Sequence, residues 1–511
     1  DLWDKIAEAA WACADPGIQF KDTINAWNTA KTDGEIVASN PCSEYFFLNS
    51  TSCNLASLRL TKYYNFNNKE FDVKKFVHSV KLLALALEAT VNAAILPTEE
   101  LAMGSYKYRN LGIGYCDIGS LIMSCGYPYD SKEARGLIGG ITALMTGITY
   151  QTSIEMASEL GPFSRYEANK EHLLRVIRNH RAAVYNDFDA YDGLNTDIYG
   201  LNSDYVDKNI MNACKRIWDN VLENGEKYGF RNAHVTVLQP TGTSGLQLDA
   251  DTTGIEPDFS LIKYKKLAGS GFFKIINSSV NRALNSLGYS EEQIKEVIHY
   301  ILGHNELKNA PFINTQQLIE KGFTKEIIAK IENNLKATTN IQYAFNKFTI
   351  GEDFCIDELG IDEEILSHPD FSILHYLGFS DDEIEEANKY TCGMQTIEGA
   401  PYVKEEHYDV FDCASRCGPY GTRYIKHRAH IKAVASAQPF LSGSISKTIN
   451  LPREATIQDV QECYDFAHSI GVKCMALYRD GSKLSQPLSS GGKADDYADL
   501  ILNTDILDEF S

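Results

Sequence analysis

With 511 residues, 44% hydrophobic and 23% charged, the chain exceeds one ordinary domain and is apolar enough to bury a large core, as a single α/β barrel with insertions does. A net charge of −21 and a pI near 5.0 argue against a nucleic-acid-binding surface, although backbone amides can still hold a phosphate locally. The longest apolar run, 82–96, is broken by Glu88 and Asn92 and is too short to cross a bilayer, so no membrane partner is expected.

The chain opens in a helical pattern, Asp1-Leu2-Trp3-Asp4-Lys5-Ile6-Ala7-Glu8-Ala9-Ala10-Trp11, and Asp1 reads as lying inside it. Helical periodicity returns at 72–96, ended by Pro97, at 131–160, ended by Gly161-Pro162, and at 204–228, closing on Gly229. Residues 234–239 read as a buried strand that runs into the turn Pro240-Thr241-Gly242-Thr243-Ser244. From 290 to 393 the pattern changes to short acidic helices, such as Ser380-Asp381-Asp382-Glu383-Ile384-Glu385-Glu386, read as an insertion with a solvated face. A helix at 456–470 and a strand at 472–478 restore αβ alternation, and 489–511 reads as an acidic linker and tail. Expected boundaries are therefore 1–289, 290–393, 394–488 and 489–511.

Twelve cysteines occur without a Cys-x-x-Cys pair, which fits reactive thiols in a reducing, cytoplasmic setting better than a disulfide framework. No His/Cys pair follows Cys413 and Cys417 at zinc-finger spacing, and no metal site is assigned. The informative pair is Cys42 and Cys53. Asn40-Pro41-Cys42-Ser43-Glu44, if extended, puts Asn40, Cys42 and Glu44 on one face, because side-chain direction repeats every two residues. A thiol, an amide and a proton acceptor around one small volume suit hydrogen-atom abstraction from a sugar carbon whose hydroxyls are held and deprotonated. The 240–244 turn offers hydroxyls and successive N–H groups that can cradle an anion.

The segment Asn40-Pro41-Cys42-Ser43-Glu44 followed by Ser52-Cys53-Asn54-Leu55-Ala56 resembles the finger-loop region of ribonucleotide reductases, in the adenosylcobalamin-dependent class II form. Further matches are Arg109-Asn110-Leu111-Gly112-Ile113-Gly114, Pro240-Thr241-Gly242-Thr243-Ser244, Thr253-Gly254-Ile255-Glu256-Pro257 and Lys266-Leu267-Ala268-Gly269 leading into Phe273. Beyond them come Phe411-Asp412-Cys413-Ala414, Gln438-Pro439-Phe440-Leu441-Ser442-Gly443-Ser444-Ile445-Ser446-Lys447-Thr448 and Tyr478-Arg479-Asp480-Gly481-Ser482, all in the family's order.

The resemblance implies a ten-stranded α/β barrel with the loop 40–44 through its centre. It implies Cys42 as the thiyl-radical position, Glu44 as the base for the 3′-hydroxyl, Asn40 and Ser39 as substrate-orienting groups, and Cys53 as one member of a reducing dithiol. It also implies Pro240, Thr241, Gly242, Thr243 and Ser244 as the substrate phosphate site, and a ribonucleoside di- or triphosphate as substrate. Adenosylcobalamin is the implied radical source, with no cofactor-contacting residue identified. A thioredoxin-like or other dithiol reductant and a dimeric complete assembly follow from the same resemblance. Since the family carries a long stretch before the position of Asp1, including the partner of Cys53, this chain is expected to be the C-terminal catalytic part and to need a companion chain.

Class I large subunits receive the radical through an adjacent Tyr pair near the final strand, where this chain has the single Tyr478; Tyr63-Tyr64 lies far away. That favours class II, although no Asp-x-His-x-x-Gly motif offers a cobalt ligand and no C-terminal glycyl-radical segment is found. A class I large-subunit fragment and a non-catalytic, barrel-completing subunit remain the alternatives.

Overall fold

A computed structural model describes residues 1–266 and 272–483. The Leu267-Ala268-Gly269 part of one motif and the 489–511 tail lie outside the described residues. The chain divides into two compact units, Asp1–Asp258 with Ile425–Ser485, and Phe259–Tyr424.

The strands are β1 (Ile18–Gln19), β2 (Asn54–Arg59), β3 (Tyr64–Asn65), β4 (Glu70–Phe71), β5 (Leu111–Cys116), β6 (Ile262–Lys266), β7 (Phe272–Ile276), β8 (Thr448–Leu451) and β9 (Cys474–Arg479). In the first unit β2 and β5 run parallel, from Asn54 opposite Leu111 to Arg59 opposite Cys116. Every residue of β5 is buried, as expected of a parallel strand covered on both faces. Residues 234–239 extend beside it, through a parallel bridge of Thr236 with Ile113, and Leu238 bridges onward to Ile445. This segment is buried as the pattern predicts, but it makes single bridges in place of a regular ladder. Val237 N–H bonds Ile113 O at 3.1 Å on one edge, Leu238 N–H bonds Ser444 O at 3.0 Å on the other, and Pro240, lacking a donor, ends the pairing. A second sheet has the order β1-β9-β8, with β8 parallel and β1 antiparallel to β9. The architecture is mixed α/β, and among the described residues no sheet closes into a barrel.

Helices cover these strands and begin where side chains can cap them. Ser131 accepts from Ala134 N–H at 3.0 Å and opens the helix Lys132–Leu160, much of which is buried. Thr456 and Asp459 form a capping box for Ile457–Ser469. The helix read from 204 starts at Lys208, because Asp207 accepts from the N–H groups of Asn209 and Ile210. Asp1 accepts from Asp4 N–H at 3.0 Å at the head of Leu2–Cys13. The run 72–96 becomes the helix Val73–Ala93, then a break at Pro97 and a second helix, Glu99–Tyr108. Val73–Ala93 is the one helix among the described residues long and apolar enough, by length and composition, to cross a membrane. Its buried Glu88 accepts from Arg109 Nε at 2.6 Å, Arg231 Nε at 2.8 Å and Asn232 Nδ2 at 2.7 Å. A carboxylate taken from water needs such partners, and these tie the helix to the chain flanking β5 and 234–239.

The second unit has its own core, including Leu307, Ile313, Ile331, Leu374 and Ile384. The helical stretch 290–393 lies within it, while chain on both sides belongs to the same packing. Lys274 Nζ donates to Cys392 O at 2.9 Å, and Glu398 accepts from Thr422 N–H at 2.7 Å and Arg423 N–H at 2.9 Å. Asp381, Asp382 and Glu383 stand in the first turn of the helix Asp381–Cys392, where they complement its dipole.

Candidate active site

Residues 39–46 do not run straight. Ser39 and Phe46 form an antiparallel bridge, and the chain between them is a tight turn. Ser43 N–H bonds Asn40 O at 3.0 Å, and Asn40 Oδ1 accepts Tyr45 N–H at 3.0 Å. Ser43 is left-handed, with φ 60°. Pro41 presets the first corner and Ser43 takes the second, so the period of two that would align Asn40, Cys42 and Glu44 on one face is lost. Cys42 is exposed at the tip while Glu44 is buried. The Asn40 carbonyl oxygen is spent on the turn itself, and Ser39 Oγ donates to Asn40 O at 2.7 Å.

Glu44 nevertheless reaches three thiols. Partial burial and then the Glu44 charge raise the Cys42 thiol above its usual range, and the same two causes raise Cys53. Cys474, on β9, is pushed up to about 11, by burial first and with Glu44 also contributing. One Glu44 oxygen, Oε2, is buried without a partner among the described residues. Cys53 stands just before β2, and a Cβ on Gly112 of β5 would lie 2.5 Å from its sulfur. The absence of a side chain at 112 is what lets the thiol sit there.

The two arms carrying Cys42 and Cys53 are joined at the Tyr45 hydroxyl. It receives Asn110 Nδ2 at 2.7 Å and lies 2.8 Å from Thr51 Oγ1. From the other side, Ser444 N–H donates to Glu44 O at 2.8 Å. That approach depends on Gly443, whose Cβ would meet Glu44 O and His234 Nε2 at 2.7 Å each. His234 is lowered to about 4 by burial, so it is neutral at physiological pH. Lys473 is buried too, lowered to about 7 by desolvation, and its Nζ donates to Gly443 O at 2.7 Å and Ser442 O at 3.3 Å.

The 240–244 turn has two kinds of hydroxyl. Thr241, left-handed at φ 54° and buried, accepts Gly254 N–H on Oγ1 at 2.7 Å, so it holds the turn together. Gly242, Thr243 and Ser244 are exposed and open the short helix Gly242–Gln247. Lys447, which the sequence leaves without a role, is buried against Glu256, and Glu256 Oε1 also accepts Thr448 N–H at 3.0 Å. Two separate motifs are thereby locked together.

The family model described as the ribonucleotide reductase barrel domain matches residues 1–336 and 366–478. The chain belongs to the ribonucleotide reductase family. It is 52% identical over 497 residues to the vitamin B12-dependent ribonucleotide reductase of Bradyrhizobium diazoefficiens, covering 97% of this chain and 40% of that protein. The Agrobacterium fabrum enzyme of the same name is 50% identical over 491 residues, 96% of this chain and 39% of that protein. That of Rhodopirellula baltica is 39% identical over 490 residues, 96% of this chain and 37% of that protein. The chain therefore spans about two fifths of the length of these curated relatives, whose shares are 40%, 39% and 37%.

Within this reductase domain the structure brings Cys42, Glu44 and Cys53 into one electrostatic neighbourhood. Tyr45, Asn110, Gly112, Ser444 and Cys474 were not singled out as site residues from the sequence. Asn110, Gly112 and Ser444 do lie inside reductase motifs, which was the available signal; Cys474 had none beyond its place in a predicted strand.

Proposed function

We propose that this chain supplies the catalytic part of a vitamin B12-dependent ribonucleotide reductase, converting ribonucleoside di- or triphosphates to deoxyribonucleotides through a thiyl radical on Cys42. The observation that carries the reading is the 39–46 turn, which holds Cys42 exposed and Glu44 buried two residues apart with Cys53 inside the field of the same carboxylate. In this reading the Cys42 sulfur radical takes the hydrogen atom from the ribose 3′ carbon. Glu44 accepts the 3′-hydroxyl proton, and the 2′-hydroxyl leaves as water. Cys53 and a second thiol give up two electrons and two protons and end as a disulfide, which accounts for the proton in the departing water and the hydrogen entering at the 2′ carbon, and Cys42 returns its hydrogen atom to the 3′ carbon, regenerating the thiyl radical. Asn40, with Oδ1 committed to Tyr45, orients the sugar hydroxyls through its amide nitrogen, next to Ser39. Thr243 and Ser244 hold the substrate phosphate, while Pro240, Thr241 and Gly242 shape the turn.

The parallel run of β2, β5, 234–239 and 442–446 supports a ten-stranded α/β barrel around the 40–44 loop. A companion polypeptide carrying the N-terminal part completes it, the full assembly is a dimer in the reducing cytoplasm, and a thioredoxin-like or other dithiol restores the thiols. The names of the relatives support adenosylcobalamin as cofactor, which when bound supplies an organic radical by homolysis of its carbon–cobalt bond. His180, His234 and His430 are buried within the packing, and no cobalt ligand is assigned to them.

The test is reconstitution with the companion polypeptide, nucleotide, dithiol and adenosylcobalamin. Deoxynucleotide formation that depends on adenosylcobalamin is the expected result. Turnover only with an added class I radical-generating subunit points to a class I fragment, and nucleotide binding without chemistry points to a non-catalytic subunit.

A further inference from the structure

A left-handed residue of the candidate active site lies between its two reactive groups. Ser43 separates Cys42 from Glu44 and adopts φ 60°, a conformation that is unfavourable for a residue with a side chain. Such a conformer persists only when its surroundings hold it. The Ser43 side chain is held weakly, by exposed Gln19 Nε2 at 3.3 Å and half-buried Ser39 Oγ at 3.3 Å. Its carbonyl is held from the interior by the thiol of Cys474, with Sγ 3.3 Å from Ser43 O.

Cys474 begins β9 and is 8% exposed. Its single S–H has three oxygens in range: Ser43 O at 3.3 Å, Ser444 Oγ at 3.3 Å and Ile445 O at 3.8 Å. Ser444 gives its own hydroxyl proton to Gln438 Oε1 at 3.2 Å, which fixes the orientation of that group. Ser444 Oγ is thereby left as an acceptor that shares the thiol with a carbonyl, and of the two carbonyls the nearer is the one on the catalytic turn. A thiol pushed up to about 11 by burial stays protonated and remains a donor at physiological pH. Lys473, the preceding residue, braces the neighbouring Ser442 and Gly443 carbonyls, so β9 meets the catalytic turn as a rigid edge.

We infer that Cys474 is a positioning residue of the reductase site: its thiol, donating to the Ser43 carbonyl, holds the left-handed turn that sets Cys42 relative to Glu44. The inference rests on the function proposed above, and it separates Cys474 from the reducing dithiol, since a hydroxyl in its place can do the same work. Three variants of the chain test it. Cys474→Ser keeps a donor, Cys474→Ala removes it, and Cys474→Val removes it while filling the space.

The first readout needs no turnover. Alkylation of Cys42 by iodoacetamide is followed by peptide mass spectrometry, with exposed Cys13 as internal reference and unfolding midpoints recorded alongside. Cys474→Ala and Cys474→Val should speed Cys42 labelling by about 3-fold or more, through a loosened turn, and Cys474→Ser should match the wild type. In the reconstituted reductase, kcat should fall about 10-fold in the Ala and Val variants at unchanged KM, with Ser restoring it. Equal labelling in all four proteins overturns the inference. So does a Cys474→Ser variant that labels like wild type but loses multiple turnover, since that outcome makes Cys474 a redox thiol. If the wild type reduces no nucleotide, the proposed function fails while the labelling comparison still decides the tether.

Discussion

Cys53 and Gly112 lie in contact where β2 and β5 begin, so close that a Cβ on Gly112 would stand 2.5 Å from Sγ of Cys53 and 2.5 Å from Leu55 Cδ2. Neither contact is tolerable, and β5 is buried on both faces, so the strand has no free side to move toward. Gly112→Ala should therefore destabilise the first unit by about 1–3 kcal/mol and shift the Cys53 sulfur. Urea unfolding with thiol-labelling of Cys53 reads both effects, and a variant with unchanged stability and labelling would show the packing to be looser than described.

Tyr45→Phe removes the hydroxyl that joins the Cys42 and Cys53 arms. Asn110 Oδ1 already has no partner among the described residues, so loss of the hydroxyl leaves the whole buried amide unpaired. The expected cost is about 1–3 kcal/mol. A double-mutant cycle with Asn110→Ala isolates the shared bond, and a coupling energy near zero would mean that the two groups act independently.

How much of this could be read in the residues depended on the range of the interaction. Capped helix starts such as Ser131 and Thr456 rest on contacts within four residues and are legible, and the strand at 472–478 shows in its own apolar run although its pairings with β1 and β8 are long-range. The 39–46 turn departs from the extended expectation because the period-two rule presumes a strand; Pro41 is visible in the sequence, but the left-handed Ser43 is met by Cys474, 431 positions away. Thr241, expected in the phosphate turn, also accepts Gly254 N–H on its hydroxyl oxygen, 13 residues on, and keeps its own O–H to donate. Lys447, to which the sequence assigns no role, is paired with Glu256 at a separation of 191. Pairings of that span depend on chain topology, which local patterns do not encode.

Cys42→Ser should abolish deoxynucleotide formation, because an alkoxyl centre does not replace a thiyl radical, while nucleotide affinity stays near the wild-type value. Cys42 is exposed at the tip of its turn, so the change removes no core packing. Product assay and equilibrium binding on the reconstituted enzyme separate the two effects; wild-type turnover in the variant would remove Cys42 from the mechanism.

Cys53→Ala should leave hydrogen abstraction at Cys42 intact and remove one of the two reducing thiols. The expected outcome is at most one turnover per active site, or aberrant products, even with excess dithiol. Rapid-quench measurement of product per enzyme checks this, and sustained turnover would assign the reducing role elsewhere.

Lys473 gives the site a pH signature. Burial lowers it to about 7 in the folded chain, against an ordinary value of 10.5. Between 7 and 10.5 the unfolded chain binds the extra proton and the folded chain does not, so this group makes stability rise with pH across that window. Below 7 the ammonium is charged in both states and its full burial penalty is present. Lys473→Met removes the titration but also leaves the Ser442 and Gly443 carbonyls short of a donor, so a single-pH comparison mixes two effects. The slope is clean: wild-type stability relative to the variant should improve by an amount on the order of a few kcal/mol from neutral to strongly alkaline pH. Urea unfolding of both proteins through that range measures it, and a difference that stays flat would mean Lys473 keeps its proton inside the fold.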